Sequence, residues 1–570
     1  MKTRIARILA SVAMAAGVAS PTAGTAQSSV AYLSQGPNWT NATRTAFYSQ
    51  DQGSQMIPYA WLSAIKTPDG KPFLFDQLQR YGYLPNAFAP SGTNLPIGFT
   101  LAGPAGNQMA GMTCAACHTR NIVANNVTYR VDGGPAIVDF QALLVDMVGG
   151  VGKVLASDAA FGDFATAVLG AGATQAQRDN LKLTVQTWYD RENAMITNAL
   201  PRADLWGLGR LDAVSMIFNR LAGLDLGPAP TYLIADNIRA ADAPVRYPFI
   251  WNAPKQDKTQ WPGFADNGND LLGLARNLGE VYGVFGVYHP VKSNAIISIS
   301  NINFLKGNSA NFKGLGAVEG LVKKIGAPRW PFAVNAQLAA QGKAIFGRPT
   351  ESGGCAACHA EKPGVTRPLF QATWATPIQD VGTDSHQYAI LGRDAQSGVL
   401  EGGKFRLVGT PIPKTTTAFK LLSFSVIGSI LQQKLSFIGL GAAPQNNADT
   451  QNALAGAFRE DAVNPPTNTF KYESRVLYGI WATAPYLHNG SVPSLADLLK
   501  PAAQRPATFA VGQNYDTSRV GLATQQPGAY TRTTTGCDAR GSGNSRCGHE
   551  FGTTLSDAEK TALLEYLKVL

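Results

Sequence analysis

The chain has 570 residues, of which 45% are hydrophobic and 15% charged. This is more than one ordinary core holds, and it excludes intrinsic disorder as a general description. The formal net charge is +10, and Lys2, Arg4 and Arg7 contribute three of the positive charges. Because the rest of the chain has no run of lysine or arginine, nucleic-acid binding is not expected. No stretch after residue 30 has the roughly 18 apolar residues that a membrane span needs.

The N-terminus has the composition of an export signal. An apolar run from Ile8 to Ala16 follows the basic residues, and small residues then lead to Gly24-Thr25-Ala26. This order is typical of a secretory signal peptide, and the apolar core is too short for a membrane anchor. We predict that residues 1–26 are removed and that the mature protein is periplasmic or secreted.

Four of the six cysteines form two copies of one pentapeptide. These are Cys114-Ala-Ala-Cys117-His118 and Cys355-Ala-Ala-Cys358-His359. C-x-x-C-H is the attachment signal of c-type haem. Two thiols three positions apart lie on one side of a helical turn and reach both vinyl groups of a porphyrin, and the next histidine is the proximal iron ligand. We predict two covalently bound haem c groups, with His118 and His359 on the irons.

Other interpretations of the cysteine pairs are a zinc site, a thioredoxin-like redox pair or two small disulfides. A zinc site built from two C-x-x-C pairs does not need a histidine directly after each second cysteine. A redox pair does not normally occur twice in that form. Covalent haem accounts for the repeated histidine, so we favour it.

The remaining cysteines, Cys537 and Cys547, flank a loop rich in glycine, serine and asparagine. In an oxidising compartment they most simply form a disulfide. Closing a loop of this length stabilises the fold by roughly 2–3 kcal/mol on the chain-entropy model.

The second axial ligand decides whether a haem carries electrons or performs chemistry. No methionine lies after Met216, so a His/Met haem cannot form within the C-terminal half. We favour His549, in Cys547-Gly548-His549-Glu550, as the sixth ligand of the second haem, because the adjacent disulfide would hold it in place. His488 is the main competitor, and it could instead hydrogen-bond a haem propionate. His386 is expected to be a loop histidine.

The first haem has fewer candidates for a second ligand. Between His118 and the second motif the chain has one histidine, His289. Met147, Met195 and Met216 are possible ligands, but each lies in a helix-like stretch and is more typical of a core. An open or O2-occupied position is the other alternative, and it would make the first haem the reactive centre.

The predicted fold is mainly α, with two cytochrome c-like haem domains and a large, mostly helical and loop insertion in the first. The domains are expected at residues 27–330 and 331–570. A substrate pocket would be built in the insertion, since haem itself needs little of it. Period and capping signals predict helices over 136–155, 175–200, 335–347 and 556–568.

Aromatic residues are concentrated in one segment of the insertion. Tyr247-Pro248-Phe249-Ile250-Trp251 is followed by Gln260-Trp261-Pro262-Gly263-Phe264 and then by Arg276-Asn277-Leu278-Gly279-Glu280. Such aromatics line an apolar cavity, form a relay between haems, or simply belong to a core. As candidate catalytic residues we select Phe249, Trp251, Trp261 and Glu280.

These motifs, together with the run from Gly479 to Ser491 (GIWATAPYLHNGS), resemble the RoxA-type di-haem oxygenases. That group includes a rubber oxygenase and di-haem fatty-acid dioxygenases, and it is related to MauG and to bacterial di-haem cytochrome c peroxidases. The resemblance extends from about residue 45 to the C-terminus. It is most specific around His488.

The resemblance implies that the first haem, on His118, binds O2 without a second protein ligand. It implies a bis-histidine second haem, with His359 and His549, and it places Phe249 and Trp251 near the first haem. The absence of a C-terminal methionine differs from the usual peroxidase pattern, in which the electron-accepting haem is His/Met.

Three functions follow as hypotheses. The first is a dioxygenase that uses O2 to oxidise or cleave double bonds of an apolar unsaturated substrate, either polyisoprene-like or a fatty acid. The alternative is a di-haem cytochrome c peroxidase that reduces hydrogen peroxide, with Glu280 as acid/base and a small redox protein as electron donor. The second alternative is a non-catalytic electron-transfer cytochrome.

Overall fold

The computed structural model describes residues 30–89, 93–294, 299–405, 410–437, 471–528 and 530–570. The predicted signal peptide, residues 1–26, lies outside the described residues. Within the described ranges no single helix is long and apolar enough to cross a membrane. The helices Phe140–Leu155 and Asp158–Leu169 are together long and apolar enough, but the chain bends by 110° between them.

Helices provide most of the regular structure, and a π-helical segment, Asn219–Asp225, continues one of them. The helices are α1 (Asn41–Ser49), α2 (Tyr59–Ala64), α3 (Cys114–Cys117), α4 (Phe140–Leu155), α5 (Asp158–Leu169), α6 (Gln175–Ala199), α7 (Ala213–Phe218), α8 (Asp270–Gly283), α9 (Phe312–Val322), α10 (Ala336–Phe346), α11 (Ala356–His359), α12 (His386–Ala389), α13 (Ala418–Phe437), α14 (Leu495–Leu498) and α15 (Asp557–Val569).

The strands are short and are distributed along the chain. They are β1 (Val30–Tyr32), β2 (Ile57–Pro58), β3 (Phe99–Ala102), β4 (Met109–Met112), β5 (Thr119–Ala124), β6 (Val127–Asp132), β7 (Arg210–Leu211), β8 (Val245–Arg246), β9 (Lys258–Thr259), β10 (Ala265–Asp266), β11 (Val291–Lys292), β12 (Ile302–Asn303), β13 (Ile378–Gln379), β14 (Asp394–Gln396), β15 (Thr415–Thr417), β16 (Tyr472–Glu473), β17 (Thr508–Ala510), β18 (Tyr515–Asp516), β19 (Gly521–Leu522) and β20 (Thr531–Thr533).

The first C-x-x-C-H turn lies in the sequence between strands of two small sheets. One has the order β2-β4-β3, and the other has the order β1-β6-β5 with β1 and β6 parallel. The remaining pairs are two-stranded: β7-β8, β9-β10, β11-β12, β13-β16, β14-β15, β17-β20 and β18-β19. The architecture is therefore mixed, with helices and many small sheets, and the expectation of a mainly α fold holds only in part.

Local capping signals predicted the helices well. Asn335 caps α10, and Ser556 and Glu559 form the capping box of α15. The predicted helix from residue 136 begins later, at Phe140, because the Asp139 side chain accepts from the Ala142 backbone N–H and sets the start.

The buried apolar residues form three large clusters. One of them joins both halves of the sequence: it contains Ala115 and Trp251 from the first half together with Ile345, Trp481 and Leu563 from the second. The helices α4 to α6 pack mainly around a different cluster. A domain boundary near residue 330 stays a prediction.

A buried carboxylate attaches the N-terminal helix to the first C-x-x-C-H turn. Asp132 accepts from Trp39 Nε1 (2.8 Å), Arg44 Nε (2.7 Å) and the Tyr48 hydroxyl (2.6 Å). The next residue, Gly133, donates its N–H to the carbonyl of His118 at 2.7 Å. This satisfied network fixes the backbone that follows the first motif.

The crossing of α10 and α15 gives a test of the fold. A Cβ at Gly342 would lie 2.0 Å from the carbonyl oxygen of Ala562. We expect Gly342→Ala to lower the free energy of unfolding by about 1–3 kcal/mol, because the helices must move apart. The measurement is thermal and denaturant unfolding.

Gly316→Ala in α9 is the matched control, since a Cβ there meets no heavy atom within 4 Å. We expect it to be neutral or to stabilise the protein by up to about 1 kcal/mol. Equal stability of the two alanine variants would contradict the close helix crossing.

Candidate functional site

The second C-x-x-C-H motif forms a single helical turn, α11, after α10. Cys355 precedes the turn, and its N–H donates to the carbonyl of Phe346 at 2.9 Å. The thiols of Cys355 and Cys358 are not joined in a disulfide. Burial raises the pKa of the Cys355 thiol to about 11, so the group is a neutral thiol at neutral pH.

A cavity opens beside this turn, with about 1290 Å³ of empty space including its mouth. The walls bring together the motif, the 472–488 segment, the chain around His549 and parts of the aromatic segment. The lining includes Arg246, Phe249, Trp261, Cys355, Cys358, His359, Tyr472, Glu473, Arg475, His488, His549, Phe551 and Leu563.

His359 and His549 face one another across this cavity, with ring centres 6.1 Å apart. His359 Nδ1 lies 2.8 Å from the carbonyl of Arg475, which fixes the orientation of its ring. Two metal–imidazole bonds of about 2 Å each, plus the distance from each nitrogen to its ring centre, add up to roughly 6 Å. The pair is therefore spaced for one metal atom between the two rings.

The loop that carries His549 is held from several sides. The structure joins Cys537 and Cys547 in a disulfide. The N–H of His549 donates to the carbonyl of Val381 at 2.7 Å, and Arg505 donates to the carbonyls of Gly548 (2.6 Å) and His549 (3.1 Å). His549 has a φ of +52°, a conformation that a non-glycine residue keeps only where its surroundings impose it.

Electrostatics keep both imidazoles of this site neutral. Burial, followed by the nearby His359 and Arg505, lowers the pKa of His549 to about 3. Burial also lowers the pKa of His359. Neutral imidazole is the form that binds a metal.

His488 lines the same cavity in a different role. Its ring stacks on Tyr472 at 3.8 Å and meets Trp261 edge-on at 6.3 Å. Burial and then Arg246 lower its pKa to about 3. Of the two competitors for the position opposite His359, the structure places His549 there, and His488 lies on the wall of the cavity. His386 is a loop histidine, 2.8 Å from Asp242.

The first C-x-x-C-H motif forms the turn α3 between β4 and β5. His118 Nδ1 lies 2.8 Å from the carbonyl of Pro248, and the ring of Tyr247 meets it edge-on at 6.3 Å. The segment around Gly98 lies directly against this turn. Gly98 has a φ of +80°, and a Cβ at this position would lie 1.9 Å from Ala116 N. Burial lowers the pKa of His118 to about 4.

Glu280 belongs to the surroundings of the first motif. Burial raises the pKa of the Cys114 thiol, and the Glu280 carboxylate is the next cause. Gln260 Nε2 donates to Glu280 Oε1 at 2.9 Å. Burial in turn raises the pKa of Glu280 above its ordinary value, opposed by Arg276. A carboxyl that keeps its proton to higher pH thus lies close to the first pair of thiols.

The alternative ligands for the first site have other surroundings. Met147, Met195 and Met216 are buried in one apolar cluster. His289 stacks on Tyr232 at 3.5 Å, and its Nε2 is 3.3 Å from Asp225. Whether the first site has a second protein ligand stays a prediction.

The predicted catalytic aromatics lie between and beside the two motifs. Phe249 and Trp261 line the cavity of the second motif, although Phe249 also follows Pro248, which holds His118. Trp251 stacks on Phe249 at 4.9 Å and donates from Nε1 to the carbonyl of Tyr478 at 2.7 Å. Their role in a substrate pocket stays a prediction.

The buried ion pair of Glu473 and Arg475 is not evident from the sequence. The pair has an N–O distance of 2.5 Å. Burial raises the pKa of Glu473 to about 6, opposed by Arg475. The two residues lie a few positions before the Gly479–Ser491 run, so extending that motif upstream would have found them.

The residues of both motifs fit haem c. Each has two unpaired thiols in one helical turn and a neutral histidine whose Nδ1 is held by a backbone carbonyl. A second imidazole and a cavity complete the second site. Among the described residues, no group of three or more His, Cys, Asp or Glu side chains is arranged to hold a metal ion.

Comparison with known proteins supports this chemistry. Residues 471–510 match the family model RoxA-like, cytochrome c-like. The uncharacterized proteins y4iJ and y4iM of Sinorhizobium fredii (strain NBRC 101917 / NGR234) are similar to the chain: y4iJ is 28% identical over 95% of this chain and 93% of its own length, and y4iM is 27% identical over 56% and 63%. The chain contains a RoxA-like cytochrome c-like segment, which implies haem c.

The pairing of His359 with His549 can be tested by spectroscopy. We expect His549→Ala to remove the low-spin bis-imidazole signal from the EPR spectrum of the purified ferric protein, because one of two facing imidazoles is lost. His386→Ala, at the loop histidine, is the control and leaves the spectrum unchanged. Loss of the same signal in His488→Ala, but not in His549→Ala, would reverse the assignment.

Proposed function

We propose that this protein is an exported oxidoreductase with two haem c groups. His118 and His359 are the proximal iron ligands, Cys114, Cys117, Cys355 and Cys358 form the thioether links, and His549 is the second ligand at the second site. Export accounts for the predicted signal peptide, for the disulfide between Cys537 and Cys547, and for covalent haem.

The observation that carries the proposal is the difference between the two sites. At the second site a histidine held by a structured loop faces the motif histidine at 6.1 Å. At the first site the histidine is fixed by Pro248, and a half-buried carboxyl, Glu280, lies near the thiols. A closed coordination sphere suits electron transfer, and an open one suits chemistry on a bound molecule.

The activity that we propose for the first site is dioxygenation of an apolar unsaturated substrate, either polyisoprene-like or a fatty acid. The haem would supply the O2 chemistry, and the protein would bind and orient the substrate. Phe264, in the loop that carries Gln260, is half-buried and packs edge-on against Phe419 at 5.4 Å. In the proposed activity, these apolar side chains would contact an acyl or isoprenoid chain and exclude water.

This activity predicts oxygen uptake without an external reductant. We expect the purified protein to consume O2 with oleic acid or a short cis-polyisoprenoid and to place two oxygen-18 atoms in the product when supplied with labelled O2. Stearic acid is the control, because it has no double bond. His118→Ala should abolish the product; product formation by a His118→Ala protein that lacks the first haem would contradict the assignment.

Peroxide reduction is the second candidate, and the Gln260–Glu280 pair favours it. A general acid/base that assists O–O cleavage must hold a proton near the reacting atoms. Glu280 meets the electrostatic requirement, since burial raises its pKa and Gln260 fixes its orientation at 2.9 Å. A peroxidase would also need a small redox protein as electron donor.

Substitution of Glu280 separates the two candidates. For a peroxidase we expect Glu280→Gln to lower the peroxide turnover by about 10²–10⁴-fold, because the proton carrier is lost. Glu319→Gln is the control: this carboxylate lies nearby, but it is paired with Arg276 and with Asn277 Nδ2. Unchanged peroxide turnover in the Glu280→Gln protein would exclude Glu280 as the acid/base of a peroxidase.

A further inference from the structure

The two motif histidines use the same kind of anchor, and the two anchors belong to connected pieces of chain. His118 Nδ1 lies 2.8 Å from the carbonyl of Pro248, and His359 Nδ1 lies 2.8 Å from the carbonyl of Arg475. Pro248 and Arg475 are more than 200 positions apart in the sequence, yet each supplies a backbone acceptor to one motif.

The side chain of Arg475 joins these anchors. Its Nη1 donates to the carbonyl of Phe249 at 2.6 Å, and Phe249 directly follows Pro248. One residue therefore accepts from His359 with its backbone and holds the segment that accepts from His118 with its guanidinium. The path from one imidazole to the other contains three hydrogen bonds and otherwise only covalent bonds.

The surroundings of Arg475 keep it in one geometry. Its side chain is 5% exposed and forms an ion pair with Glu473 at 2.5 Å. The guanidinium also lies over the ring of Phe249 at 5.4 Å and the ring of Trp261 at 5.7 Å. A carboxylate, a carbonyl and two rings thus contact the guanidinium and hold it in one geometry.

Arg246 is another buried arginine that lines the same cavity. Arg246 donates from Nε to the carbonyl of Leu487 at 2.9 Å, which anchors neither motif histidine.

We propose that Arg475 is a positioning residue that couples the two haem sites. Through this link, a change in the electronic state of one site alters the hydrogen bond of the motif histidine at the other site, and with it the reduction potential there. The proposal rests on the proposed function in one respect, the presence of two haems. It adds a specific link between them that neither C-x-x-C-H motif contains.

The test is a spectroelectrochemical titration of the full-length purified protein, with EPR spectra of both ferric haems. We expect Arg475→Gln to lower both reduction potentials, because the buried positive charge that balances the Glu473 carboxylate is lost. It should also shift the g-values of both EPR signals, since both histidine anchors change. Arg246→Gln, which removes a buried positive charge from the same cavity, should move only the signals of the second haem.

A change confined to one haem in Arg475→Gln, or identical spectra of the Arg475→Gln and Arg246→Gln proteins, would overturn the coupling. Arg475→Lys is the substitute test if the Arg475→Gln protein does not accumulate. It keeps the charge, but one ammonium group cannot hold both Glu473 and the Phe249 carbonyl in the fork geometry of arginine. We then expect both EPR signals to shift with smaller changes in potential, and a shift of one signal alone would again overturn the proposal.

The haem content distinguishes failure of this inference from failure of the proposed function. A pyridine haemochrome assay of the wild-type protein gives the number of haems per chain. One haem per chain would refute the two-haem assignment and, with it, the coupling. Two haems that respond independently to Arg475→Gln would refute the coupling and leave the proposed function intact.

Discussion

Both C-x-x-C-H turns depend on one constraint: a partly buried imidazole that is to present one nitrogen to a ligand must have its other nitrogen bound by the protein. His118 and His359 are partly buried, and the carbonyls of Pro248 and Arg475 lie 2.8 Å from their Nδ1 atoms. The acceptor fixes the tautomer and the plane of the ring. Segments far from either motif in the sequence must therefore be placed accurately, which explains why the 471–510 segment is buried against both halves of the chain.

The sequence predicted what depends on short-range chemistry. The helical turns of the two C-x-x-C-H motifs, helix caps such as Asn335 and Ser556, and the cysteine pair 537–547 are each set by residues within about a dozen positions of one another. Contacts between segments that are distant in the sequence could not be predicted in this way. Nothing in the Glu473-Ser474-Arg475 triplet shows that its carbonyl faces His359 or that its guanidinium reaches Phe249. The abundance of two-stranded sheets was also missed, because strands of two residues are too short to show alternation.

The choice of His549 over His488 shows how far reasoning from single residues extends. Both are histidines in glycine-containing loops, and both line the cavity. The structure separates them through packing: His488 is stacked on Tyr472, whereas Arg505 and Val381 hold the loop of His549 so that its ring faces His359. The predicted disulfide is present beside His549 and reduces the freedom of its loop, whereas the role of His549 as an iron ligand stays a prediction.

Part of the additional chain in the first half packs around α8. This helix packs Leu278, Val281 and Tyr282 into an apolar cluster that it shares with α7, α9 and α13. The same helix carries Glu280, whose charge is felt at Cys114. The packed cluster keeps α8, and with it the half-buried Glu280 carboxyl, in a fixed place near the first C-x-x-C-H turn. In the function that we propose, this part of the additional chain supports a polar group beside the reactive site.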